Sequence, residues 1–131
     1  GNFDVYVMPS EGGEATRLTF NSANDFPSDF SVDNKHIIFG SGRNDLNTSV
    51  RFPIKGLFPK LYQVPVTGGR SILLLTAGTQ NTHYNSKGDA IVFEDIKGYE
   101  DAWRKHHTSS VTRDIWLYSF KTKEYRKISG F

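Results

Sequence analysis

Apolar residues in this chain arrive in short bursts, and the bursts are joined in pairs by turn-forming residues. Alternation at Phe3, Val5 and Val7 predicts a strand over residues 3–8. Pro9, Ser10, Glu11, Gly12 and Gly13 follow as a tight turn, in which two glycines permit positive φ at no steric cost. Residues 15–20, with Leu18 and Phe20, return as a second strand. After a polar connection at 21–25, Phe26 to Ser31 reads as a short extended piece. Val32, Asp33, Asn34 and Lys35 then form a turn into His36, Ile37, Ile38 and Phe39, an apolar run with the look of a buried strand.

Both hairpins recur. Leu61, Tyr62, Gln63, Val64, Pro65, Val66, Thr67, Gly68 and Gly69 repeat the first, with Tyr6, Pro9 and Gly12-Gly13 matching Tyr62, Pro65 and Gly68-Gly69 at a shift of 56 residues. A looser third copy has Asp114, Ile115, Trp116, Leu117, Tyr118 and Ser119 in place of residues 4–9, with Thr122 and Lys123 where the glycines stood. The second hairpin repeats too: residues 83–93 overlay 29–39 at a shift of 54, pairing Phe30 with Tyr84, Ile37 with Ile91 and Phe39 with Phe93. Two hairpins alternating at one period describe a repeating unit of four short strands, the mark of a β-propeller blade. The predicted fold is all-β, a propeller fragment of about two and a half blades. A half blade occupies 1–20 as its two outer strands, C and D; full blades occupy 25–75 and 80–129, all within one domain.

The period of ~55 residues exceeds the ~40–45 of a WD40-like blade. In both blades the excess falls between the second and third strands, at 41–59 and 95–112. In an up-and-down blade these connections emerge on one rim, beside those at 20–25 and 76–80. Insertions gathered on one face are where such proteins often bind.

Composition narrows the partners. The chain has 131 residues, 37% hydrophobic and 14% aromatic, enough for one modest core. A net charge of only +2, with acids and bases interspersed, gives no continuous basic stripe and argues against nucleic acid. With no cysteine, disulfides and thiolate metal sites are excluded. No apolar run approaches the ~20 residues needed to span a bilayer. The chain opens at Gly1 almost inside a strand, as a piece cut from a larger ring would. Such a piece is expected to leave strand edges and a blade face uncovered and to self-associate.

Candidate chemistry lies in the insertions. The first carries Arg43, Arg51, Lys55 and Lys60 against one acid, Asp45, together with Phe52, Leu57 and Phe58. A basic and aromatic loop of this kind can grip a peptide carboxylate, or else be a solvated loop pinned by its aromatic residues. In the second insertion Trp103 is either a recognition group or a residue folded back over the blade. Arg104, His106 and His107 beside it complete the candidate binding set. His106 and His107 lie near Glu100 and Asp101, but adjacent histidines in an extended segment point oppositely, and no further His at helical spacing completes a ligand set. A hydrogen-bonded loop without metal is expected there. Ser109 and Ser110 lack an oriented base, a third group and an oxyanion hole, so no catalytic residue and no cofactor is assigned.

The segments 30–39 and 84–93 resemble degenerate forms of the aromatic-Ser-Pro-Asp-Gly-Lys-x-Ile-x-Phe motif of TolB-type propeller repeats. The Asp4-Val5-Tyr6 and Asp114-Ile115-Trp116 openings and the Arg17-Leu18-Thr19 ending fit the same repeats. The proline of the motif is missing from both copies, and Asn34 replaces its glycine in the first, which Asn tolerates. The segment 99–116 is similar in particular to the propeller of bacterial tricorn-like proteases. That resemblance implies a non-catalytic segment serving peptide access or docking, with remaining blades and C-terminal domains elsewhere in the parent chain and a serine peptidase as the expected parent. The alternative it leaves is a TolB-like scaffold for a protein partner. It also implies a periplasmic or cell-envelope location.

Overall fold

A computed structural model describes residues 2–43, 59–95 and 113–129, and within them every regular element is a strand. β1 (Tyr6–Val7) pairs antiparallel with β2 (Thr16–Arg17) as a two-stranded sheet. β3 (Asp25–Phe30), β4 (His36–Ser41), β5 (Lys60–Pro65) and β6 (Ile72–Leu75) form a four-stranded antiparallel sheet in chain order. A second such sheet holds β7 (Thr79–Tyr84), β8 (Ala90–Asp95), β9 (Ile115–Ser119) and β10 (Glu124–Lys127). The all-β propeller architecture is thus the one the repeats require.

The turns show how each copy solves the same problem. Gly12 N–H donates to the Pro9 carbonyl (3.1 Å) and Gly68 N–H to that of Pro65 (3.0 Å), with both glycines left-handed. In the third copy Lys123 takes φ 56° itself, and its N–H reaches the Ser119 carbonyl at 2.8 Å. Asn34 likewise accepts φ 58° where its repeat counterpart, Gly88, has 74°. The β1–β2 ladder is shorter than the residues 3–8 and 15–20 suggested. Beyond it Val5 N–H donates to the Thr19 hydroxyl (2.9 Å), a side chain standing where a ladder carbonyl would. Leu18 N–H still donates to the Val5 carbonyl (2.8 Å), so the pairing continues irregularly.

Successive residues of a strand face opposite ways, and the middle sheet uses both directions. Ile37 and Phe39 of β4, with Tyr62 and Val64 of β5, pack against Val5 and Leu18 of the first hairpin. Ile38, Leu61 and Leu75 turn the other way and meet Ile91 and Phe93 of the next sheet. One strand therefore serves two cores, which is why residues 37–39 read as an unbroken apolar run. Each such fully buried side chain contributes about 1.5–3 kcal/mol. Near the inner edges the sheets are also stitched by polar contacts, since Asp29 Oδ2 of β3 accepts the Tyr84 N–H of β7 at 3.0 Å.

Candidate functional site

Registers identify one rim of the assembly. Asp25 pairs with Ser41, Ser41 with Lys60, Thr79 with Asp95, and Glu94 with Ile115, so these strand ends lie together. The segments 44–58 and 96–112 connect strand ends of this same rim.

Between the innermost strands of the two sheets, on this rim, lies a cleft of about 470 Å³. Phe26, Pro27 and Ser28 of β3 form one wall, Thr79, Gln80 and Asn81 of β7 the other, with Gly40 and Pro59 at the floor. Both walls are irregular. β3 has a register shift between Pro27 and Asp29, and β7 one between Gln80 and His83, where Asn81 takes φ 48°. A bulge leaves an extra residue outside the ladder and re-aims the strand, and bulges gather at barrel rims and sites. The floor depends on Gly40: a Cβ there would stand 3.3 Å from Pro59 Cβ. Phe26 is half exposed, and its ring lies 5.8 Å from that of Phe3, which gives the mouth an apolar lip.

Arg43 occupies a different place. Its Nη2 lies 2.5 Å from Asp25 Oδ2, and its side chain is only 11% exposed while that of Asp25 is 0%. The guanidinium carbon sits 4.9 Å from the Phe39 ring centre and 5.1 Å from that of Tyr62. Arg43 Nε and N–H both donate to Ser41 Oγ at 3.2 Å, and Tyr62 O–H donates to the Arg43 carbonyl. The cation is thus clamped between two rings and neutralised by a buried carboxylate within its own blade. Asp25 Oδ1 and Thr79 Oγ1 have no hydrogen-bond partner among the described residues. The other members of the sequence-derived set, Arg51, Phe52, Lys55, Trp103, Arg104, His106 and His107, lie outside the described residues.

Elsewhere on the rim charges are paired. Asp4 binds Arg17 (2.6 Å), its repeat counterpart Asp114 binds Lys127 (2.9 Å), and Glu94 binds Arg113 (3.3 Å). Away from it, burial pushes the Tyr84 hydroxyl above its usual range, with the nearby carboxylates of Asp29 and Asp33 adding to the effect. His83 Nδ1 stands 3.7 Å from Asp29 Oδ2, without a hydroxyl bonded to the imidazole among the described residues. Nor do three His, Asp or Glu side chains converge there in a way that would hold a metal ion. The cleft therefore offers an exposed strand edge, an apolar lip and polar side chains, a surface for binding extended chain.

The cleft residues Phe26, Gln80 and Asn81 were not among the sequence-derived candidates. The available signals were Pro27 inside a strand and Gly40 inside another, since proline marks bulges and edges and glycine marks close backbone approach.

The profile of the tricorn protease N-terminal β-propeller domain matches residues 1–131. Among solved structures, one assigned as TolB from Agrobacterium tumefaciens is 23% identical over 95% of the chain, with a TM-score of 0.65. At that identity the likeness is one of fold, and the chain spans only 40% of that protein. No curated protein matches the chain. With every residue covered by the profile and two four-stranded antiparallel sheets packed side by side, the chain belongs to the tricorn protease N-terminal β-propeller family.

Proposed function

We propose that this chain is a non-catalytic propeller segment of a tricorn-like peptidase and that it docks peptides on their way to an active site in another domain. The observation that carries this is the cleft between β3 and β7. It opens on the rim that also bears both long insertions, and its walls are bulged inner strands whose irregular backbone is suited to extended peptide. The half-exposed Phe26 would supply apolar contact, and Ser28, Gln80 and Asn81 would supply hydrogen bonds. A serine peptidase as parent and a periplasmic or envelope location belong to the same proposal.

The test is titration of the isotopically labelled chain with unstructured decapeptides of mixed sequence, followed by amide chemical shifts. Docking predicts saturable shifts at Ser28, Gln80 and Asn81, with Gly12 and Gly68 in the hairpin turns unmoved. Absence of shifts at millimolar peptide, or shifts confined to those turns, would overturn it.

A further inference from the structure

A second pocket, of about 370 Å³, lies on the outer part of the interface between the two four-stranded sheets. Phe93, Trp116 and Tyr125 line it together with Asp95, Ala77 and Gly78. Its meaning comes from the repeat. At the shift of 54, Phe93 is the counterpart of Phe39, Trp116 of Tyr62, and Asp95 of Ser41. Those three counterparts are the residues that surround the Arg43 guanidinium in the preceding sheet: two ring faces and the hydroxyl that accepts from Nε.

The polar partners have also been exchanged across one register pair. In the first sheet the carboxylate is on β3 (Asp25) and the hydroxyl opposite it on β4 (Ser41). In the second the hydroxyl is on β7 (Thr79) and the carboxylate opposite it on β8 (Asp95). Each blade thus sets one acid and one hydroxyl beside an aromatic pair. Asp95 is held in place by the Asp114 N–H (2.8 Å) and the Trp116 indole N–H (3.1 Å), so its charge has a fixed position at the pocket. Tyr125, 46% exposed and edge-on to Phe93 with ring centres 6.3 Å apart, forms the outer wall.

We infer that this pocket is a slot for a guanidinium group and that it takes an arginine side chain of a docked peptide. The chain supplies the precedent internally, because Arg43 shows what the same frame binds when the cation comes from within. A volume near the low end of the ~300–1,000 Å³ of ligand pockets suits a single long side chain. Flat cations stack on aromatic faces and pair with carboxylates, and arginine does both better than lysine. The slot as a peptide site rests on the docking proposal above, whereas its affinity for a guanidinium does not.

The probes are N-acetyl-arginine amide and, as an uncharged control of similar length, N-acetyl-norleucine amide. The readout is the indole N–H resonance of Trp116, identified by its loss in Trp116→Phe. Arginine amide should shift this resonance saturably and norleucine amide should not. Tyr125→Ala, an exposed change that spares the core, should weaken binding about three- to tenfold. Asp95→Asn, which keeps an oxygen for the indole, should weaken it about tenfold. Equal shifts by both amides would overturn the inference. So would binding that appears only in Lys97→Ala, because Lys97 is the repeat counterpart of Arg43 and its own amine would then be the occupant. If decapeptides move Gln80 and Asn81 while arginine amide leaves Trp116 unmoved, the slot fails and docking stands. The reverse pattern keeps the slot and removes docking.

Discussion

Replacing Asp25 by Asn should be among the most damaging single changes in this chain. The carboxylate side chain is completely buried, and it neutralises a guanidinium that is itself nearly buried, 11% exposed. Removing one partner of such a pair leaves the other charge uncompensated, at a cost of about 3–5 kcal/mol. Against a typical domain stability of about 5–15 kcal/mol, this is a large fraction. The rings of Phe39 and Tyr62 would still hold the cation, recovering about 1–2 kcal/mol at most, so the net loss should be about 2–4 kcal/mol. For a chain of this size that corresponds to a fall in Tm of roughly 6–16 °C. Urea unfolding followed by circular dichroism gives the free energy, and calorimetry the Tm. The decisive comparison is Asp25→Leu combined with Arg43→Met. Replacing both charges by apolar groups removes the unpaired ion and should restore stability to within about 1 kcal/mol of the parent. If Asp25→Asn costs less than about 1 kcal/mol, or if the double variant is no better than the single, the pair does not hold the blade together as argued.

Tyr84→Phe should shift the onset of alkaline unfolding to higher pH. Burial raises the folded-state value of Tyr84 above its ordinary 10.0, so its contribution is complete below that value and is lost as pH rises through the raised one. An unchanged onset by circular dichroism would refute the assignment. Lys123→Gly should stabilise the chain by about 0.5–1 kcal/mol, because Lys123 holds φ 56° in the turn where the other two copies use glycine. Thermal melting measures this, and a lowered Tm would count against it.

The repeat was legible because the constraints on it are local. Strand alternation, Gly12-Gly13 and Gly68-Gly69 turns, and the shared aromatic positions are each written within about ten residues. Even Asn34 could be recognised as a left-handed position from its place in the motif, and it has φ 58°. The site was less legible because its parts are brought together from distant segments. Nothing near Arg43 in sequence shows that Asp25, 18 residues earlier, and Tyr62, 19 residues later, close around it. Read as a surface cation of the insertion, it is a clamped structural one. The cleft depends on bulges in β3 and β7 and on the approach of Gly40 to Pro59, and Pro27 and Gly40 alone do not say which way a strand will be re-aimed.

The two-sided packing of the β3–β6 sheet sets the order in which the chain should come apart. Its one face is covered through Val5 and Leu18 and its other through Ile91 and Phe93, so opening it breaks two interfaces, while opening either neighbour breaks the one it shares with this sheet. In a stack whose units hold only their neighbours, stability is a sum of such interfaces. Amide exchange should therefore be slowest at Ile38 and Phe39 and fastest at the exposed strands β2 and β10, with protection lost from the flanks inward. The β3–β6 sheet is the keystone of the described residues, and the cleft and the aromatic slot both lean on its side that holds longest.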